Sequence, residues 1–115
     1  MATALNSPPV NIRSLTLSAS GSSGSDSFSI PSGRWALVYI VRINFFGSGS
    51  ANRSLSIAGS VVDSSTSVRT VEISDEAISN VSGFLLNSSD EIVAETGGIG
   101  SSITAVLRII EFNNP

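Results

Sequence analysis

Apolar and polar residues alternate with a period of two along most of this chain, the signature of half-buried β-strands. From Ile12 onward, Leu15, Leu17 and Ala19 alternate with Ser14, Thr16 and Ser18. Residues 20–27 (SGSSGSDS) read as a loop by composition. Phe28 and Ile30 flank Ser29 in a short strand, and Pro31-Ser32-Gly33 supplies a turn. Residues 35–46 carry the longest strand. One face reads Trp35, Leu37, Tyr39, Val41, Ile43 and Phe45; the other reads Ala36, Val38, Ile40, Arg42, Asn44 and Phe46. β-branched and aromatic residues dominate and no helix cap is present, which favours strand over helix. Its first half is apolar on both faces. One face therefore enters the core, and the second is expected to meet a neighbouring subunit.

After the loop 47–53, Leu55, Ile57 and Val61 form a strand, and the chain is expected to turn at 63–67. Residues 68–73 alternate again. Residues 74–77 (SDEA) read as a turn or one helical turn with Ser74 as N-cap. A strand over 81–86 is interrupted at Gly83. Residues 87–90 turn, 91–96 form a short strand, and Gly97-Gly98-Ile99-Gly100 is a loop. The final strand, 103–112, places Ile103, Ala105, Leu107 and Ile109 on one face and Val106, Arg108, Ile110 and Phe112 on the other. About eight short strands with Ser/Gly turns and no helix predict an all-β, antiparallel β-sandwich, a jelly roll. Residues 12–115 form that single domain. Residues 1–11 contain Pro8-Pro9 and no strand period, and read as an extended arm.

Composition removes most chemistries. All six cations are Arg, at 13, 34, 42, 53, 69 and 108, and the chain has neither His nor Cys. That excludes a Ser-His-Asp triad, a thiol nucleophile, imidazole or thiolate metal sites, and a Schiff-base lysine. The nine carboxylates offer Asp75-Glu76 and Asp90-Glu91, both in predicted turns, where acidic residues serve the turn itself. No opposed pair suited to glycoside hydrolysis is visible, and the spaced acidic run of a calcium loop is missing. No enzyme activity, cofactor or metal is expected. A net charge of −3 with scattered Arg speaks against nucleic acid. The longest apolar run, residues 35–41, is too short for a membrane helix, and the N-terminus lacks the pattern of a signal peptide. The surface is built from hydroxyls and amides instead, with 25 Ser, 6 Thr and 8 Asn in 115 residues. Three Asn-x-Ser patterns, at Asn52, Asn80 and Asn87, follow from that richness. Trp35, Tyr39, Phe45 and Phe46 read as core aromatics before they read as sugar-stacking rings.

Two segments carry a family resemblance. Residues 28–41 (FSIPSGRWALVYIV) resemble the opening of small jelly-roll domains in bacteriophage virion proteins, with a strand, a Pro-x-Gly turn and a long apolar strand. Residues 85–112 resemble their ending, with an acidic turn, a short strand, a Gly-rich loop and a closing strand. Asn87-Ser88-Ser89 departs from the Gly usually found beside the acidic residue. The pattern is also similar to tumour-necrosis-factor-like jelly rolls, which assemble as trimers. The resemblance implies a non-enzymatic virion protein: a homotrimeric head decoration or cement protein bound to the major capsid protein, or alternatively a tail-fibre tip or lectin-like domain that binds host glycans. The subunit interface expected from it, together with the two-sided apolar strands, comprises Val38, Ile40, Arg42, Arg108, Ile110 and Phe112. Arg42 and Arg108 are expected to lie close together with Glu72 or Glu111 nearby. The arm, through Leu5, Pro8, Pro9 and Val10, is expected to lie across a partner, a capsid subunit or a sister chain.

Overall fold

The computed structural model describes residues 8–72 and 83–114. Among these the chain forms nine strands and no helix: β1 (Asn11–Ser20), β2 (Ser25–Ser29), β3 (Arg34–Phe46), β4 (Arg53–Ile57), β5 (Ser60–Ser65), β6 (Arg69–Glu72), β7 (Phe84–Leu86), β8 (Glu91–Thr96) and β9 (Ser102–Asn113). The expected all-β sandwich is what the structure contains. One sheet runs β1-β9-β3 and ends on β6 and β7; the second runs β2-β8-β4-β5. β9 occupies one edge of β3 along its length, so β6 and β7 both lie on the other. They pair with residues 42–45 and 36–38 of β3 in the same direction and fill one strand position in two pieces.

The pairing is nested. β1 pairs with β9, β2 with β8, β3 with β6 and β7, and β4 with β5, all antiparallel. This is one long hairpin, with β4–β5 as its tip, rolled so that alternate strand pairs fall in opposite sheets. Two further ladders, β3–β9 and β4–β8, close the sheets. That arrangement is a jelly roll.

The core lies between the sheets and is built from the inward halves of the alternating strands. Leu17 and Ala19 of β1, Ile103, Ala105, Leu107 and Ile109 of β9, Leu55 and Ile57 of β4, and Ile92 and Ala94 of β8 are all buried there. β3 differs from its expected pattern. Ile40 pairs with Leu107 but Arg42 pairs with Val106, so Val41 is an extra residue in the ladder. Such a bulge switches the face on which later side chains emerge. Ala36 and Val38 face the core before it, and Ile43 and Phe45 after it. Neither face of the simple alternation is correct along the whole strand.

A second correction concerns the hairpin tip. The chain reverses at Ala58 and Gly59, with φ of 51° and 83°, and Ile57 pairs with Ser60. Two consecutive positive φ angles match the turn that best fits the twist of a two-residue hairpin. Val61 therefore belongs to the return strand, and residues 63–65 extend that strand instead of turning. The expected features at 73–77 and 81–82 lie outside the described residues.

Candidate functional site

The outward face of the β1-β9-β3 sheet can be read row by row from its register. At one end, Ile12, Ile110, Leu37 and Leu85 sit opposite one another on β1, β9, β3 and β7. They make an aliphatic row across the full width of the sheet. Its ends are open to solvent: Ile12 is 62% and Leu85 63% exposed. Beside this row Trp35 stacks on Phe112, ring centroids 4.3 Å apart and planes within 13°. Trp35 is only 7% exposed, although it belongs to the outward face, and among the described residues its indole N–H has no hydrogen-bond partner.

The next rows are polar. Ser14, Arg108 and Tyr39 are in register, then Thr16, Val106, Arg42 and Glu72, then Ser18, Thr104, Asn44 and Thr70. Arg42 and Arg108 are both exposed and stand one row apart on neighbouring strands. Glu72 is directly opposite Arg42, as expected. Glu111 is not near either. It points inward and is fully buried, with Arg34 Nη1 2.6 Å from Oε1 and Arg13 Nε 2.8 Å from Oε2. The Arg13 contact is too oblique for a hydrogen bond, so its attraction is mainly Coulombic.

Of the expected interface residues, Arg42, Arg108, Ile110 and Phe112 lie on this outward face. Val38 and Ile40 do not. Val38 is fully buried, and Ile40 packs against the core. The reason is parity: ahead of the bulge the even-numbered residues of β3 point inward. Leu37 takes the outward place assigned to them. Pro8, Pro9 and Val10 are exposed, and the Val10 N–H donates to the Glu111 carbonyl (2.8 Å); Leu5 lies outside the described residues.

The opposite end of the sandwich is organised by Arg53, which is 0% exposed. Its inward position follows from period two with Leu55 and Ile57 on β4. The guanidinium donates to four backbone carbonyls: Nε to Phe46 (2.9 Å), Nη1 to Ala51 (2.9 Å), and Nη2 to Gly47 (3.0 Å) and Gly49 (2.6 Å). Carbonyl dipoles here take the place of a carboxylate. The loop between β3 and β4 wraps this side chain and packs on the loop before β9. Gly47 has φ of 96°, and a Cβ there would lie 2.1 Å from the Gly100 carbonyl oxygen, so only glycine fits.

Next to this loop, on the outward face, is a cleft of about 310 Å³ lined by Ser18, Ala19, Ser20, Phe46, Ser102, Ile103 and Thr104. Phe46 is 38% exposed. Among the four aromatics read as core, Phe45 is fully buried, while Phe46 forms an open wall of this cleft. Among the described residues there is no group of three or more potential metal ligands, and no helix long and apolar enough to cross a membrane.

No protein-family model matches the chain, and no curated protein matches it. Solved structures that share a slight likeness include these two. One is dimeric latent PorU from Porphyromonas gingivalis, 10% identical, covering 93% of this chain with a TM-score of 0.34. The chain spans 13% of the length of that protein. The other is the virus-like particle of extra small virus from the giant freshwater prawn Macrobrachium rosenbergii, 9% identical, covering 90% of this chain and 86% of the other, with a TM-score of 0.36. Likeness at this level carries no argument about function, which rests on the chain's own surfaces.

The sequence left two arrangements unread, and each had a signal. Glu111 shares the parity of the inward residues Leu107 and Ile109, so a buried carboxylate needing cations was implied. Arg53 shares the inward parity of Leu55 and Ile57.

Proposed function

We propose that this chain is a non-enzymatic bacteriophage virion protein, a trimeric decoration or cement subunit that stabilises the head where major capsid subunits meet. It acts in the virion, assembled in the host cytoplasm, and needs neither nucleic acid nor membrane. The observation that supports this reading most is the aliphatic row Ile12–Ile110–Leu37–Leu85, which spans the sheet from edge to edge and is open at both edges. Contiguous apolar surface of this kind marks association sites. Placed toward a threefold axis, the face brings the Leu85 edge of one copy against the Ile12 edge of the next, a head-to-tail contact that closes into a ring. Three copies of one capsid-binding patch then act together through effective concentration, so modest single contacts suffice. The arm, with Pro8, Pro9 and Val10 exposed, supplies part of the capsid contact in this reading.

Sedimentation should show a trimer at micromolar concentration. The paired substitution Ile12→Glu and Leu85→Glu, at exposed positions, should give a folded monomer. A wild-type monomer would refute the assembly. Purified protein added to undecorated heads should bind and raise their temperature of disruption, because a ligand of the intact shell stabilises it by mass action. With charge so scarce, occupancy should change little between low and moderate salt. Loss of binding at moderate salt would overturn the account of polar and apolar contacts. Deleting residues 2–9 should weaken attachment and leave the melting temperature of the isolated protein nearly unchanged. Equal attachment by the truncated chain would remove the arm from the contact.

The cleft beside Phe46 favours a second reading, a tail-fibre tip or lectin-like domain that binds host glycans. Binding to host cells with none to heads would move the assignment there.

A further inference from the structure

We propose that the cleft beside Phe46 is a subsite for an uncharged sugar ring. This rests on the glycan-binding reading of the same cleft and names its ligand class; it does not depend on head attachment, since the cleft lies at the end of the sheet opposite the aliphatic row. Along β9, Ile110 and Ser102 are eight residues apart, about 27 Å at the usual strand rise.

The cleft has the chemistry a neutral polyhydroxylated ring requires. Ser20, Ser102 and Phe46 are in register across β1, β9 and β3, and Ser18 and Thr104 form the adjacent row. Neighbouring strands lie about 4.8 Å apart, and same-face residues along a strand about 6.7 Å. The four hydroxyls therefore mark out a rectangle close to the dimensions of a pyranose. None of them hydrogen-bonds to another described side chain or backbone group, so each keeps both donor and acceptor capacity. Sugar hydroxyls have the same dual character. Phe46 gives the cleft an aromatic wall. The negative face of an aromatic ring attracts the weakly positive C–H groups on the apolar face of a sugar. No lining residue is charged, so a carboxylate or phosphate on the ligand would find no counter-ion. The volume, about 310 Å³, sits at the lower end of the range for small-molecule sites and suits one ring.

The aromatic wall is also held in place. Arg53 Nε donates to the Phe46 carbonyl, and its other N–H groups hold the three loop carbonyls that follow. The fully buried guanidinium thus fixes the backbone from which the ring projects. A site prepared in this way loses less entropy when the ligand docks. Arg53 is a positioning residue and does not touch the sugar.

The test uses the full-length protein labelled with ¹⁵N and titrated with lactose, N-acetylglucosamine, maltohexaose and 3′-sialyllactose. At least one neutral sugar should shift amide signals at residues 18–20, 46–47 and 102–104, with a dissociation constant in the millimolar range expected of a single subsite. Maltohexaose exceeding the smaller sugars would identify a polysaccharide chain as the source of the ring; equal binding would identify single terminal sugars. Either result supports the subsite. Phe46→Ala should weaken binding about tenfold, and Phe46→Trp, which retains a ring face, should preserve it. Phe46 is outward-facing and partly exposed, so the fold survives both changes, as unchanged shifts elsewhere would verify. Thr104→Val, which removes one hydroxyl at constant shape, should also weaken binding. The proposal is overturned by the absence of localised shifts with every neutral sugar, by equal binding of the Phe46→Ala protein, or by tighter binding of 3′-sialyllactose than of lactose.

Discussion

Replacing Arg53 with methionine is expected to destabilise the protein by about 3 kcal/mol. The reason is the set of acceptors the side chain leaves behind. Four carbonyl oxygens, from Phe46, Gly47, Gly49 and Ala51, converge on the guanidinium at 2.6–3.0 Å. Methionine fills much of the volume but donates nothing. Each buried acceptor without a donor costs roughly 1–3 kcal/mol, reduced here because the loop can open partly to water. At the usual unfolding entropy for a domain of this size, the loss corresponds to a fall in melting temperature of roughly 12 °C. Lysine should recover only part of it. Its ammonium is a single point with three donors, whereas the guanidinium fork reaches carbonyls on several sides at once. Thermal melts at one fixed protein concentration check this, since assembly makes the midpoint concentration-dependent. A methionine variant melting within about 2 °C of the parent would show that the cage contributes little to stability. The same variant should lose ordered signals first in the loop between β3 and β4, because the four carbonyls that the guanidinium holds all lie at or in that loop.

The second large effect is expected at Glu111. Its carboxylate is fully buried and neutralises two arginines from different strands, Arg13 at 2.8 Å and Arg34 at 2.6 Å. It joins β1, β9 and the start of β3 at the end of the sandwich nearest the aliphatic row. Glu111→Gln keeps the shape and removes the charge, leaving two guanidinium groups facing each other with no counter-ion. Breaking a buried ion pair by removing one partner commonly costs about 3–5 kcal/mol. Each arginine is about one-third exposed, which lets water screen part of the repulsion, so a loss of about 2 kcal/mol is expected. Removing all three charges, as Arg13→Met, Arg34→Met and Glu111→Leu together, should restore most of it, because an apolar replacement of an entire buried ion cluster is often neutral or stabilising. Urea denaturation of the two variants checks both halves. A glutamine variant as stable as the parent would mean the ion triad adds nothing. A triple variant worse than the single one would mean that packing of the arginine stems, including Arg13 over the Phe28 ring at 5.0 Å, matters more than charge.

Period-two patterning located most of the strands, though not the split between β4 and β5 or the start of β2, and within β1 and β9 it picked out the residues that face the core. Leu15, Leu17 and Ala19 alternate with hydroxyls because one face of their sheet is wet, and a one-residue slip would expose every one of them. The all-β class followed from the same property together with the Ser/Gly turns. The absence of His, Cys and Lys is likewise read directly from the sequence.

Other features were settled only by tertiary contact. The bulge at Val41 changes which face of β3 is inward, and nothing in residues 35–46 marks the extra residue except a shift of polar positions to Arg42 and Asn44. Its location depends on the partner strand: between the pairs Ile40–Leu107 and Arg42–Val106, β3 holds one extra residue and β9 holds none. Because of it Val38 and Ile40 belong to the core and Leu37 to the surface. The aliphatic row exists only through register, since Ile12, Leu37, Leu85 and Ile110 are scattered along the sequence and become neighbours when four strands align. The same holds for the Phe46 cleft, whose hydroxyls come from two strands more than eighty residues apart. Outside the β3 bulge, local sequence determines each residue's alternation within its own strand. Which strands lie side by side, and in what register, is decided by closure of the nested hairpin around a single core, and each surface that can bind a partner is made by that closure.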